Sequence, residues 1–134
     1  MTRYVIGPDV ALRLAQNRAK VPGQHQLLAP ALIRSQLLSR LYQAVRQEEI
    51  TRKDAERQLA HVRSLRLRLL GDRVLQSVAW DIADQLRWPD TIDAEYVALT
   101  QLQAEAFVTL DTRLAKAVRG VVPTASIDAL LAPT

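Results

Sequence analysis

The stretch WPDTIDAEYVALTQLQAEAFVTLD, residues 88–111, decides the fold. It divides into a start signal, an amphipathic helix, a short turn and an apolar strand. Pro89 and Asp90 suit a helix opening, with Thr91 close behind as a cap. From Asp93 onward, Ala94, Val97, Ala98, Leu99 and Leu102 recur at roughly helical spacing. Ala106, Phe107, Val108 and Leu110 then form a short apolar run suited to a strand buried on both faces. Asp90, Asp93 and Glu95 crowd the helix start, and Asp111 stands just past the strand.

Ligands of open α/β sheets bind outside the carboxyl ends of the strands. Asp111 is at such an end, and Asp93 is in the first turn of the helix that leads into the strand. Carboxylates converging there repel one another unless a cation neutralises them. Taken singly, Asp90 or Asp93 would only complement a helix N-terminus. The combination with Asp111 makes a metal site the sharper reading.

Working outward, strands and helices alternate. Tyr4, Val5 and Ile6 begin a first strand, punctuated by Gly7-Pro8-Asp9. Asp9 is expected to cap a helix through about Gln16. Residues 17–25 (NRAKVPGQH) read as a polar surface loop. Leu27 and Leu28 suggest a very short second strand, after which Pro30 opens a helix to about Gln47. That helix should bury Leu32, Ile33, Leu37, Leu38, Leu41 and Val45. Thr51 caps a third helix, with Asp54 placed for a capping box and Leu59, Val62, Leu65 and Leu69 as its stripe.

Within SLRLRLLGD, residues 64–72, helix is favoured for most of the segment, with a short strand as the alternative ending. Asp72 then caps a helix through about Leu86 that buries Val74, Leu75, Val78, Ala79 and Ile82. Beyond Asp111 come a short helix (Thr112 to Val118), a last strand at Val121-Val122 and a final turn capped by Ser126. This alternation predicts a parallel sheet with right-handed crossovers.

The 134 residues fit one domain able to bury a core, and 49% apolar against 24% charged residues indicates a globular chain. The absence of cysteine removes disulfides, thiolate metal sites and cysteine nucleophiles together. The start MTRYVIGPDV holds too short an apolar run for a signal peptide or membrane span, so a cytoplasmic protein with no membrane partner is the expectation. The net charge of +4 comes mostly from arginine, which suits bidentate contact with phosphate.

The frame formed by VIGPDVALRL (5–14), LLAPALIRSQLLSRLYQAV (27–45), AWDIADQL (79–86) and DAEYVALTQLQAEAFVTLDTRLAKAV (93–118) resembles a PIN domain of the bacterial VapC type. The resemblance covers nearly the whole chain, residues 1–134 as a single domain, and implies a three-layer α/β/α fold. It is most specific where DAEYVAL is followed by FVTLDTRL. There Asp93 and Asp111 match the third and fourth acids of the family's metal site. Members of this family cut RNA with Mg²⁺ or Mn²⁺ held by clustered carboxylates. VapC-type members are commonly toxins, inhibited by a cognate antitoxin and often homodimeric.

Two positions depart from the family pattern. An Asp is expected directly after the first strand; aligned on VAL, this chain has Gly7 there, and Asp9 lies two residues on. A Glu is expected in the second helix, where this chain has Gln36. The resemblance allows Asp9 to compensate, or to be the first acid itself with a shifted strand end. Gln36 keeps an oxygen but loses the charge that holds a hard cation. Asp90, one turn before Asp93, is the better placed spare acid. Glu95 points about 200° round the helix from Asp93. Thr109 and Arg113, flanking Asp111, are further candidates for the pocket.

The resemblance thus implies an endoribonuclease in which Asp9, Asp93 and Asp111 hold Mg²⁺ or Mn²⁺ and hydrolyse a phosphodiester without a protein nucleophile. Charge counting predicts weaker metal binding than in a four-acid site, strengthened by Gln36→Glu. The alternative is a catalytically weak or inactive module of the same fold that binds RNA or protein. His25 and His61 show no metal-ligand spacing and read as surface residues. Trp80 and Trp88 read as core or interface packing. Arg63, Arg66, Arg68 and Arg73 form either a solvated face or an RNA-backbone track.

Overall fold

Along the chain the elements are β1 (Thr2–Ile6), α1 (Pro8–Gln16), β2 (His25–Pro30), α2 (Ile33–Arg46), α3 (Arg52–Ser64), β3 (Arg68–Leu70), α4 (Arg73–Leu86), α5 (Ile92–Gln103), β4 (Ala106–Val108), α6 (Thr112–Val118), β5 (Thr124–Ala125) and α7 (Ile127–Leu131). The computed structural model describes residues 1–132. Its strands form one sheet in the order β3-β2-β1-β4-β5, and every pairing is parallel. On one face α1, α2 and α3 pack on one another; on the other α5 lies against β1, β2 and β4, with α4 beside it. The architecture is a three-layer α/β/α sandwich with a central parallel sheet, as the alternation of elements predicts.

The centre of the sheet is apolar on both faces. Tyr4, Val5 and Ile6 of β1 and all of β4 are buried, so neither strand shows the alternation of a half-solvated sheet. From β1 the chain builds outward to β2 and β3, then returns to pair β4 on the other side of β1. That reversal opens a crevice at the carboxyl ends of β1 and β4, where ligands of such sheets bind.

Several local expectations need correction. Asp9 does not cap α1: Gly7 holds the N-cap position, Pro8 occupies the first turn and Asp9 follows it. β2 is longer than expected, and Pro30 ends it rather than opening α2. A proline is tolerated there because pairing with β1 has already stopped at Leu28. The segment after Ser64 leaves the helix: Arg66 takes a left-handed φ of 55°, and Leu69 pairs with Ala29 in β3. The last strand is Thr124–Ala125, whose pairing with Phe107 and Val108 leaves Val121 and Val122 in the turn after α6.

Leu38, Val74 and Leu102, expected inside, are exposed. His25, expected at the surface, is only 7% exposed, and its Nε2 donates to the Ala132 carbonyl at 2.7 Å. Trp80 is 69% exposed and packs in no core. No helix among the described residues is long and apolar enough to cross a membrane.

The helix starts α3 and α4 are secured as their sequences predict. Thr51 Oγ1 accepts from the Asp54 N–H at 3.1 Å, and the Asp54 carboxylate accepts from the Thr51 N–H at 3.4 Å. Asp72 Oδ1 accepts from the Leu75 N–H at 2.9 Å. Thr51→Ala and Asp72→Ala should each cost about 1 kcal/mol of stability, read as a lower urea midpoint at unchanged slope.

Candidate functional site at the carboxyl edge of the sheet

Gly7 is the last residue before α1, and its N–H donates to the Val108 carbonyl at 3.2 Å. A Cβ at this position would lie 2.6 Å from Asp9 Oδ1. The Asp9 carboxylate therefore occupies the room in which a side chain at position 7 would begin. Its oxygens are engaged from both sides. Oδ1 accepts from the Val10 N–H at 2.8 Å, and Oδ2 accepts from the Leu110 N–H at 2.8 Å and the Thr109 hydroxyl at 3.1 Å. Asp9 is thus a clasp between the ends of β1 and β4.

The clasp is carried onward. Thr109 Oγ1 accepts from the Asp111 N–H at 3.1 Å. Asp111 caps α6, its Oδ1 accepting from the N–H groups of Arg113 at 3.0 Å and Leu114 at 3.1 Å. One Asp111 oxygen is left without a protein partner among these bonds. Across the crevice, Asp90 Oδ1 accepts from the Ile92 N–H at 3.1 Å and opens α5, a role expected of Thr91, whose side chain makes no cap bond. Asp93 follows in the first turn of that helix.

Two adjoining cavities share Asp93 and Asp111. The smaller, about 50 Å³, is also lined by Gly7, Asp9, Thr109 and Tyr96, with Arg40 at its edge. The larger, about 310 Å³, adds Asp90, Arg113 and Trp88. Asp9, Asp93, Thr109 and Asp111 therefore line the smaller cavity, and Asp90, Asp93, Asp111 and Arg113 the larger.

Glu95 lines neither cavity, and its carboxyl is raised above the ordinary range by burial alone, without a neighbouring acid. Gln36 lies outside the lining as well. Its Oε1 accepts the Tyr96 hydroxyl at 2.5 Å, so it stands behind Tyr96 rather than in the crevice.

The electrostatics agree with this geometry. The Asp93 carboxyl is raised, first by burial, then by the charges of Asp90, Asp111 and Asp9, with Arg40 pulling the other way. Burial pushes the Tyr96 phenol well above its usual range, Arg40 opposes the shift, and Asp9, Asp93 and Glu95 add to it. Tyr96 is a neutral hydrogen-bond donor at any ordinary pH. Arg40 and Tyr96 were not singled out from the sequence. The available signal was spacing: Arg40 is one turn beyond Gln36, and Tyr96 one turn beyond Asp93.

The oxygen donors here are of the kind Mg²⁺ and Mn²⁺ take. Among the described residues, however, no three His, Cys, Asp or Glu side chains gather closely enough to hold an ion. Mg²⁺ usually keeps several waters and is bound by one or two carboxylates together with substrate phosphate. Asp93 and Asp111 fit that pattern, and they do not make a cage complete before substrate arrives.

No family model matches the chain, and no curated protein matches it. A solved structure does. The crystal structure of PAE2754 from Pyrobaculum aerophilum superposes with a TM-score of 0.74 at 19% identity, covering 97% of this chain and 93% of that one. At that identity the likeness establishes a common fold and nothing further.

Two outcomes follow from the clasp and the crowded acids. Gly7→Ala should destabilise by about 1–3 kcal/mol, because it displaces a carboxylate from its donors. In an Asp9→Ala background the penalty should largely vanish, a non-additivity that a double-mutant cycle in urea measures. Asp93→Asn should raise the melting temperature at neutral pH, since a carboxyl with a raised folded-state pKa disfavours the fold once ionised. The gain should shrink as pH falls through that raised pKa and wild-type Asp93 takes up its proton.

Proposed function

We propose that the chain is a PIN-type, metal-dependent endoribonuclease, the VapC-like toxin of a toxin–antitoxin pair. The observation that carries this reading is the meeting of Asp93 and Asp111, each from a different element, at the point where strand order reverses. Arg40 and Arg113 stand beside them. A crevice lined by both acids and guanidinium groups suits a phosphodiester. The arginines pair with non-bridging phosphate oxygens, and the acids supply ligands for a cation.

In this reading Asp93 and Asp111 hold Mg²⁺ or Mn²⁺, while Asp9 shapes the pocket through Thr109 and Leu110. The cation, when bound, supplies Lewis-acid stabilisation of the phosphate and an attacking water of lowered pKa. Arg40 and Arg113 orient the scissile phosphate against the two free carboxylates. Tyr96, held by Gln36, closes the floor of the small cavity. A cognate antitoxin and a second copy of the chain are the protein partners that belong to this proposal.

A second reading is favoured by one observation. Asp9 spends its oxygens on the fold, which leaves a site poorer in free carboxylates than the family pattern. A module of the same fold that binds RNA without cutting it is consistent with that depletion.

Incubation of purified protein with structured and single-stranded RNA, with and without Mn²⁺, separates the two. Cleavage should require the metal. Asp93→Asn and Asp111→Asn should each lower it by at least about 100-fold, in line with loss of a metal ligand or its partner. Wild-type protein that binds RNA but cuts none at millimolar Mn²⁺ leaves the binding module standing.

A further inference from the structure

The larger cavity has a wall that phosphate chemistry does not use. Trp88 and Pro89 line it from the connection between α4 and α5, and Leu114 and Ala117 line it from α6. Asp93, Asp111 and Arg113 are at the same opening. An aromatic ring therefore borders the space in which a phosphate neighbour would lie.

Trp88 is held in place by its backbone. Arg87 closes α4 with a left-handed φ of 57°, its N–H donating to the Asp84 carbonyl at 3.2 Å. The Trp88 N–H donates to the Ala83 carbonyl at 2.9 Å, which completes a Schellman pattern. Two residues on, Asp90 caps α5. The indole thus sits between two secured helix ends, half-buried against the core. With its backbone held and its ring half-buried, the indole has less freedom to lose when a flat ligand stacks on it.

We propose that this cavity is a nucleobase subsite, in which a purine next to the scissile phosphate stacks on Trp88. The inference rests on the nuclease reading for the position of the phosphate. It adds the class of base that the site selects. The volume, about 310 Å³, is at the small end of ligand sites, room for one base and not for a duplex. Leu114 and Ala117 add apolar surface to the same lining as Trp88. Asp90 contributes a carboxylate to the lining, an acceptor for the exocyclic amino group of a base, so the choice of purine rests on stacking area. The larger π-face of a purine gains more from an indole than a pyrimidine does.

The chain has two tryptophans, and Trp80 is exposed on α4 outside the cavity. Trp80→Phe therefore leaves Trp88 as the sole indole reporter. Neutral nucleosides, added without metal, test base recognition apart from phosphate and cation. Adenosine and guanosine should quench Trp88 fluorescence saturably, at least about 5-fold more tightly than cytidine and uridine. In calorimetric titration, Trp88→Leu should weaken purine binding roughly 5- to 150-fold with an unchanged circular dichroism spectrum, and Trp88→Phe should restore part of it.

Absence of quenching by any nucleoside, or equal affinity for purines and pyrimidines, overturns the proposal. So does full purine affinity in folded Trp88→Leu. An RNA cleavage assay on the same Trp80→Phe protein keeps the two readings apart. Cleavage without purine quenching removes the subsite and leaves the nuclease. Purine quenching without cleavage leaves a purine site on Trp88 but removes the nuclease and, with it, the placement beside a scissile phosphate.

Discussion

The carboxylate of Asp9 holds the crevice together. It lies in space that Gly7 leaves open, bonds within its own helix start at Val10, and reaches across to Leu110 and Thr109 just past β4. Hydrogen bonds to a charged group contribute about 1.5–3 kcal/mol each in favourable cases. Only a residue without a Cβ permits the arrangement, so position 7 and position 9 are coupled by volume as well as by charge. From this clasp the rest is positioned in turn. Thr109 is fixed by Asp9, Asp111 by Thr109, and the first turn of α6 by Asp111.

A carboxylate used in this way is less available to a cation. The burden of any ion therefore falls on Asp93 and Asp111; the Asp93 carboxyl is already raised, first by burial and then by the charges of Asp90 and Asp111. The positive side of the ledger is ample. The sequence has eighteen lysines and arginines, yet among the described residues the one ion pair joins exposed Arg52 and Glu56. Among the described residues the other cations have no carboxylate within salt-bridge distance; Arg57 instead donates to the Ala15 carbonyl at 3.2 Å. A phosphate chain approaching the crevice meets Arg40 and Arg113 alongside the acids, and those arginines favour association of a polyanion.

What could be read from the sequence depended on whether the signal was local. The 88–111 stretch was legible because helical spacing, a turn and a buried run succeed one another within it. The caps at Thr51 and Asp72 were legible for the same reason. β3 was not. SLRLRLLGD carries both periods, and the choice was made by Arg66 entering the left-handed region and by Ala29 and Leu69 finding each other across the sheet. β5 was misplaced because its register is set by Phe107 and Val108, not by the valines of its own segment. At the site, chain spacing correctly gathered Asp90, Asp93 and Asp111. The use of Asp9 as a clasp required the missing Cβ of Gly7, which no periodicity reports.

Gln36 shows why a residue at an expected position need not have the expected contact. Its amide oxygen receives the phenol of Tyr96, so the crevice meets the tyrosine and not the amide. A carboxylate in its place would also accept that hydrogen bond. It would add negative charge beside a phenol and an Asp93 carboxyl already raised by their neighbours. A neutral acceptor avoids that repulsion. The amide at position 36 and the glycine at position 7 are thus parts of one solution. Position 36 adds no further charge to a crevice already lined by Asp9, Asp90, Asp93 and Asp111, and Trp88, Leu114 and Ala117 give it apolar walls.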